Sequence, residues 1–107
     1  MTALITRDEL VQGIEAGAVI VLDALGGEYY AKAHLPGALA LVEDEVEARA
    51  PQLLPDRAAA IVTYCSNAAC ANSQHVATKL EQLGYTNVRK YRDGIQDWAD
   101  AGLPVES

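Results

Sequence analysis

The stretch AIVTYC, residues 60–65, decides the fold of this chain. It is a short, continuous apolar run that ends in a cysteine, and such a run is typical of a strand buried on both faces of a parallel sheet. The run AVIVLD, residues 18–23, has the same character and ends in an aspartate. Further strands are predicted at residues 87–91, 38–42 and 3–5, the last at an edge of the sheet. The sequence therefore predicts one buried sheet.

Helical patterns fill the intervals between these strands. A capping box, Thr6 with Glu9, starts a helix that Gly17 ends, and Gly84 ends another helix over residues 73–83. The other predicted helices cover residues 28–33, the acidic residues 43–50 and residues 94–101. Because strands alternate with helices, we expect parallel strands with right-handed crossovers. The predicted fold is a three-layer α/β domain, with a central, mainly parallel sheet flanked by helices and residues 1–107 as a single domain.

The composition of the chain is that of a packed globular domain. Apolar residues make up 50% of its 107 residues and charged residues 21%, with 8 basic residues against 15 acidic ones and a net charge of -7. This balance disfavours nucleic acid and anionic membrane surfaces as partners, since both are bound through basic patches. No apolar run approaches the roughly 20 residues of a transmembrane helix, and the pattern of a secretory signal is absent. We expect a cytoplasmic domain; the sequence leaves its oligomeric state open.

Cys65 occupies the position where open parallel sheets build their sites, between the carboxyl end of a strand and the following helix. Unpaired N–H groups and the helix dipole stabilise an anion there, so we expect the pKa of the catalytic Cys65 thiol to lie below its ordinary value. The next residues are small or polar, and their N–H groups can curl around an anion. They form the predicted substrate-binding loop, Ser66, Asn67, Ala68, Ala69, Cys70, Ala71, Asn72 and Ser73. Asn72 or Ser73 is the expected N-cap of the helix.

Nearly the whole chain resembles the rhodanese-like domains in their single-domain form. The family has three signatures: a strand ending in aspartate before a histidine-proline-glycine turn, a strand ending in the nucleophilic cysteine, and a C-terminal glycine-tryptophan-proline pattern. The matching segments are VLD (21–23), Tyr30, HLPGA (34–38), IVTYC (61–65), LGY (83–85), Asn87 with Val88, DGI (93–95), Trp98 and AGLPV (101–105). The turn and the C-terminal pattern together make the resemblance specific.

The resemblance implies an enzyme of the thiosulfate sulfurtransferase type. In such chemistry Cys65 takes a sulfane sulfur from a donor, either thiosulfate or a persulfide, and carries it as a persulfide until a thiol or cyanide accepts it. Loop N–H groups can stabilise both anionic sulfur species, so neither a metal nor an organic cofactor is implied. The implied partners are a small-molecule or protein persulfide donor and a thiol acceptor.

The candidate loop departs from the family pattern in its charge. Family members often carry an arginine within or just after this loop, whereas no basic residue lies between Arg57 and Lys79 here. The first signature usually has an arginine two residues after its aspartate, and Leu25 stands at that position. A doubly charged donor would therefore meet backbone dipoles alone, which favours a persulfide over thiosulfate as the donor.

Cys70 has two interpretations that the sequence leaves open. It could be a second redox cysteine that attacks the Cys65 persulfide, releases sulfide and forms a disulfide, or it could be a small residue that fills the loop. The pair also supports an alternative function, a non-catalytic or redox-sensing rhodanese-like module. A cysteine-dependent phosphatase is disfavoured, because Ala71 stands where such an enzyme needs an arginine to clamp the phosphoryl oxygens.

Other polar residues are expected to be structural. His34 belongs to the turn signature, where a hydrogen-bonding role is favoured over catalysis, and Asp23 is expected to fix a neighbouring loop. A zinc site that combines His34 and His75 with Cys65 and Cys70 is disfavoured, because the spacing of these residues fits no closed structural pattern.

Overall fold

A sheet of five strands forms the centre of the structure, a computed structural model that describes residues 2–107. The strands are β1 (Ala3–Leu4), β2 (Ile20–Asp23), β3 (Leu39–Ala40), β4 (Ile61–Tyr64) and β5 (Val88–Tyr91). Their spatial order is β1-β5-β4-β2-β3, and every neighbouring pair is parallel. Asp23, Tyr64 and Tyr91 end the three central strands in register. The carboxyl ends of these strands therefore meet at one end of the sheet.

Within residues 2–107, five α-helices cover the two faces of the sheet. They are α1 (Arg7–Glu15), α2 (Gly27–Lys32), α3 (Val46–Leu53), α4 (Asn72–Gln82) and α5 (Gly94–Asp100). Successive strand residues point to opposite faces. Leu22 and Ile61 belong to a core cluster with α3 and α4, whereas Val21 and Val62 belong to a second cluster with α1 and α5. The three-layer α/β prediction is confirmed, with a wholly parallel sheet.

The described part of the chain, residues 2–107, contains no helix with the length and apolar character that a membrane crossing requires.

Local sequence signals set the boundaries of α1. The capping box is present, since the Glu9 N–H donates to the Thr6 hydroxyl at 3.2 Å and the Thr6 N–H donates to the Glu9 carboxylate at 3.0 Å. Gly17 follows the helix with a φ of 64°, as a glycine that ends a helix does.

The next strand, β2, begins at Ile20 rather than at residue 18, because its pairing with β4 starts only opposite Ile61.

The acidic segment departs from the prediction of a helix over residues 43–50. It begins as a 3-10 helix at Glu43–Glu45, and α3 then continues through Pro51. An internal proline deprives a helix of one backbone hydrogen bond. Ala50 and Leu54 are completely buried on either side of the proline, and the burial of these side chains offsets the lost bond.

A buried hydrogen-bond network ties the turn that contains Leu35 to the end of β4. The Tyr64 hydroxyl donates to the Asp23 carboxylate at 2.7 Å and accepts from the Leu35 N–H at 3.1 Å. The other oxygen of Asp23 accepts from the N–H groups of Leu25 and Gly26 at 2.7 and 3.1 Å. Asp23 and Tyr64 are completely buried. Asp23 therefore fixes a neighbouring loop, as predicted.

We expect Tyr64→Phe to lower the free energy of unfolding by roughly 1–3 kcal/mol, because it leaves the buried Leu35 N–H and one oxygen of Asp23 without their shared partner. Urea denaturation followed by circular dichroism measures this change. Tyr29→Phe is the matched control, since Tyr29 is 68% exposed, and it should change stability by less than about 0.5 kcal/mol. Equal stability of Tyr64→Phe and the wild type would contradict the role given to this hydroxyl.

Candidate active site

Cys65 directly follows β4, at the end of the sheet where the central strands stop, and is only 1% exposed. The first turn of α5 fixes the backbone around it. The N–H of Ile95 donates to the Cys65 carbonyl at 2.9 Å, and the N–H of Gln96 donates to the Ser66 carbonyl at the same distance. The N–H groups at the start of a helix have no partner within the helix, so they are available for these bonds. α5 therefore sets the direction in which the chain leaves β4.

Gly94 makes this close approach possible. A Cβ atom at this position would lie 2.5 Å from the Cys65 carbonyl oxygen and 2.6 Å from the Ser66 carbonyl carbon, which is too close for non-bonded atoms. Its φ of 70° also lies in the left-handed region that glycine adopts without strain. Glycine is thus required on two independent grounds. In the sequence, the glycine at the start of the last helix is the signal that α5 packs closely against the end of β4. The spacing of the loop residues does not reveal this contact.

Asn67 organises the loop between β4 and α4. Its side-chain carbonyl accepts from the Ala69 N–H at 3.0 Å, and its backbone carbonyl accepts from the Cys70 N–H at 3.1 Å. Its side-chain amide donates to the Gln96 side chain at 3.2 Å, which joins the loop to α5. Ala68 and Ala69 are exposed. Since the N–H groups of Ala69 and Cys70 are engaged within the loop, they are not available to an anion at Cys65.

α4 begins without a side-chain cap. Its N-cap is Ala71, so the predicted N-cap at Asn72 or Ser73 is wrong, and both residues belong to the first turn. The Ser73 hydroxyl instead lies 3.5 Å from the Cys65 sulfur, and the Thr63 hydroxyl donates to the Ser73 carbonyl at 3.0 Å. Ser73 is 1% exposed. Its side chain faces the cysteine and is therefore not available to cap the helix.

The two cysteines are free thiols in contact with one another. The Cys65 thiol faces the Cys70 carbonyl oxygen at 3.3 Å and the Asn67 carbonyl oxygen at 4.0 Å, in addition to the Ser73 hydroxyl. Cys65 is buried, whereas Cys70 is half-buried. Cys70 is therefore the more accessible of the two thiols.

The pKa values of the two thiols are shifted in opposite directions. Burial raises the pKa of Cys65, and the hydrogen bond with the Cys70 side chain raises it further, while bonds from the Ser73 hydroxyl and N–H oppose this rise without reversing it. Burial also acts to raise the pKa of Cys70. Hydrogen bonds from the Cys65 side chain and from the Asn72 and Ser66 N–H groups outweigh that effect, so the pKa of Cys70 is lowered.

The prediction of a lowered pKa at Cys65 is therefore wrong for the pair of free thiols. The loop does direct N–H groups at sulfur, but two residues, Ser66 and Asn72, direct theirs at Cys70 and one, Ser73, at Cys65. Which sulfur receives which N–H depends on the turn of the chain at Asn67, and the order of residues alone does not specify it.

The histidines lie outside the thiol pair. His34 Nδ1 is 2.7 Å from the Tyr30 carbonyl, where the nitrogen must donate, and the two rings stack with centroids 4.0 Å apart. The backbone of His34 also pairs with that of Glu106, which gives this histidine a structural role, as predicted. His75 is exposed and lies 3.1 Å from Glu43. Residues 2–107 contain no group of three or more histidine, cysteine or acidic side chains that could ligate a metal.

A cleft of about 310 Å³ opens beside Ser66, the residue after the candidate nucleophile. Its lining is mainly apolar and comprises Leu25, Tyr29, Lys32, Ala33, Ile95 and Ala99, together with Ser66 and Gln96. A second cleft, of about 390 Å³, lies among Thr6, Arg7 and Asp97. Neither cysteine lines either cleft, but the first is lined by Ser66, the neighbour of Cys65, and is therefore the better candidate for a substrate of Cys65.

Comparison with known proteins identifies the class of domain. A family model described as a rhodanese-like domain matches residues 6–101. This chain therefore belongs to the rhodanese-like domain family, as its motifs predicted. It is also 36% identical over 102 residues to the HTH-type transcriptional regulator Rv0324 of Mycobacterium tuberculosis. The match covers 95% of this chain and 44% of the regulator, so the chain spans less than half the length of that relative.

Solved structures agree with this assignment. The BH2092 protein from Bacillus halodurans superposes with a TM-score of 0.89 at 27% identity, over 99% of this chain and 77% of that one. The human single-domain sulfurtransferase TSTD1 superposes with a TM-score of 0.79, over 94% of this chain and 97% of that one. At 22% identity this second likeness shows the fold alone.

We expect iodoacetamide to alkylate Cys70 before Cys65 near neutral pH, because Cys70 has the lower pKa and the greater exposure. Peptide mapping by mass spectrometry after brief labelling measures the order. Cys65→Ala removes a hydrogen-bond donor to the Cys70 sulfur, so the pH midpoint of Cys70 labelling should rise in this variant. Faster labelling of Cys65, or an unchanged midpoint in Cys65→Ala, would contradict the assignment.

Proposed function

We propose that this domain is a sulfurtransferase in which Cys65 carries the transferred sulfur as a persulfide. The observation that supports this most directly is the site of Cys65 in a rhodanese-like domain, at the end of β4 and beside the first turn of α4. In the loading step the Cys65 sulfur attacks the outer sulfur of a donor persulfide. A new sulfur–sulfur bond forms, the donor's own sulfur–sulfur bond breaks, and the donor leaves as a thiol after taking up a proton.

The contacts of the Cys65 thiol leave its proton free to pass to solvent. The thiol faces the Cys70 backbone carbonyl oxygen at 3.3 Å, and this oxygen does not take up a proton, so solvent accepts the proton that Cys65 loses as it attacks. Replacement of Cys70 would remove one of the causes that raise the pKa of Cys65. Cys65 therefore remains a competent nucleophile without its neighbour, with solvent as the proton acceptor.

The charge of the site favours an organic persulfide over thiosulfate as the donor. No basic residue lies between Arg57 and Lys79, so the loop itself offers a dianion no cation beside its peptide N–H groups. The mainly apolar cleft beside Ser66 suits the carbon skeleton of an organic donor, and Lys32 in its lining suits a single carboxylate. Because Cys65 is 1% exposed, entry of the donor sulfur requires the residues around it to move.

A redox-sensing module is the second candidate function. Two observations favour it: Cys65 and Cys70 are free thiols on residues in contact, and a relative at 36% identity is named a transcriptional regulator. In that function the modified form of the Cys65 and Cys70 pair would itself be the signal. In a sulfurtransferase the modified form would be an intermediate of the catalytic cycle. A sensor would form its modified state once per stimulus, whereas a sulfurtransferase passes sulfur repeatedly to a thiol or cyanide.

We expect the Cys70→Ser variant, treated with cysteine persulfide, to become heavier by one sulfur atom located on Cys65. Intact-mass spectrometry followed by peptide mapping measures the adduct. Added cyanide should then remove the sulfur as thiocyanate and return the protein to its original mass, over repeated cycles. Thiosulfate in place of the persulfide should load the variant much more slowly, because the loop lacks a cation.

The variant that lacks both thiols, Cys65→Ser with Cys70→Ser, is the matched control and should gain no sulfur. An adduct that forms equally in this control, or no adduct in Cys70→Ser, would overturn the proposed sulfur transfer. An adduct that forms once and is not passed to cyanide would instead favour the sensing function.

A further inference from the structure

The second cysteine of the loop has contacts that a residue filling space would not need. Hydrogen bonding with the Cys65 side chain and with the N–H groups of Asn72 and Ser66 lowers the pKa of its thiol despite partial burial. Its carbonyl lies 3.3 Å from the Cys65 sulfur. Cys70 is therefore positioned against the atom that would carry a transferred sulfur, and its own sulfur lies in an environment that stabilises a negative charge.

A persulfide on Cys65 would have little other stabilisation. Its outer sulfur is an anion near neutral pH, and no basic side chain stands between Arg57 and Lys79 to neutralise it. The N–H groups of Ala69 and Cys70 are engaged with Asn67. A loaded site with few donors and an adjacent thiol of lowered pKa favours displacement of the outer sulfur over its retention.

We propose that Cys70 resolves the Cys65 persulfide within the same loop, so that the domain releases sulfide and is left with a Cys65–Cys70 disulfide. The Cys70 sulfur attacks the Cys65 Sγ, a bond forms between these two atoms, and the bond from Cys65 Sγ to the outer sulfur breaks. The proton of the Cys70 thiol passes to the outer sulfur, which leaves as hydrosulfide with both electrons of the broken bond. The sulfane sulfur is thereby reduced, and the two cysteines are oxidised to the disulfide.

This inference rests on the proposed function, because it begins from a loaded Cys65. It adds a further activity, the reduction of sulfane sulfur to sulfide, which needs no external thiol acceptor in the first turnover. A dithiol reductant restores the two thiols by disulfide exchange before the next donor can react. Each cycle thus consumes one persulfide and one dithiol, and it yields one thiol, one sulfide and one oxidised dithiol.

A single-turnover experiment without reductant tests this activity. One equivalent of cysteine persulfide is added to the anaerobic, reduced protein, and released sulfide and intact mass are measured together. The wild type should release one equivalent of sulfide above the double-cysteine variant and become lighter by two hydrogen atoms. Cys70→Ser should release no sulfide above that background and retain the sulfur on Cys65. Cys70→Ala, which lacks any side-chain oxygen, should behave in the same way.

The outcomes separate this inference from the one on which it rests. A wild-type protein that retains the added sulfur stably on Cys65, or that carries it on Cys70, would overturn the resolving role while leaving sulfur transfer intact. Failure of both Cys70→Ser and Cys70→Ala to take up sulfur would overturn the proposed function, and the resolving role with it. Sulfide release by the wild type with disulfide formation, absent from both variants, would establish the role of Cys70.

Discussion

Two backbone hydrogen bonds from the start of α5 determine where the chemistry of this domain can lie. The N–H groups of Ile95 and Gln96 bind the carbonyl oxygens of Cys65 and Ser66, and they do so only because Gly94 presents no side chain at the point of contact. These bonds turn the chain out of the sheet at the end of β4. Every later feature of the site depends on that turn, from the course of the loop to the contact between the Cys65 sulfur and the backbone of Cys70.

The loop offers peptide N–H groups to an anion, whereas many enzymes that bind anions use basic side chains. Burial raises the pKa of Cys65, whereas hydrogen bonding with the Cys65 side chain and with the N–H groups of Asn72 and Ser66 lowers the pKa of Cys70. Such a site suits monoanionic sulfur better than a dianion. With the roles proposed for Cys65 and Cys70, sulfur transfer and thiol redox chemistry would share this one loop.

The fold was predictable from the sequence because its signals are local. The apolar composition of the runs at residues 18–23 and 60–65 predicts buried strands, and β2 and β4 lie within these runs. The Thr6 capping box likewise acts within one turn of helix. The passage of α3 through Pro51 was not predictable, since it depends on burial against other elements. The absent cap at α4 and the order of the two thiol pKa values were also missed, because both depend on which atoms a folded loop brings to sulfur.

The rate of persulfide loading on Cys65 in a Gly94→Ala variant tests most directly whether α5 positions the site. Gly102→Ala is the matched control: Gly102 has a similar positive φ of 77°, but a Cβ there would meet no atom within 4 Å. With Cys70→Ser present in both proteins so that the adduct persists, we predict that Gly94→Ala slows loading by roughly a hundredfold while Gly102→Ala leaves it unchanged. Equal loading rates in the two variants would contradict the account.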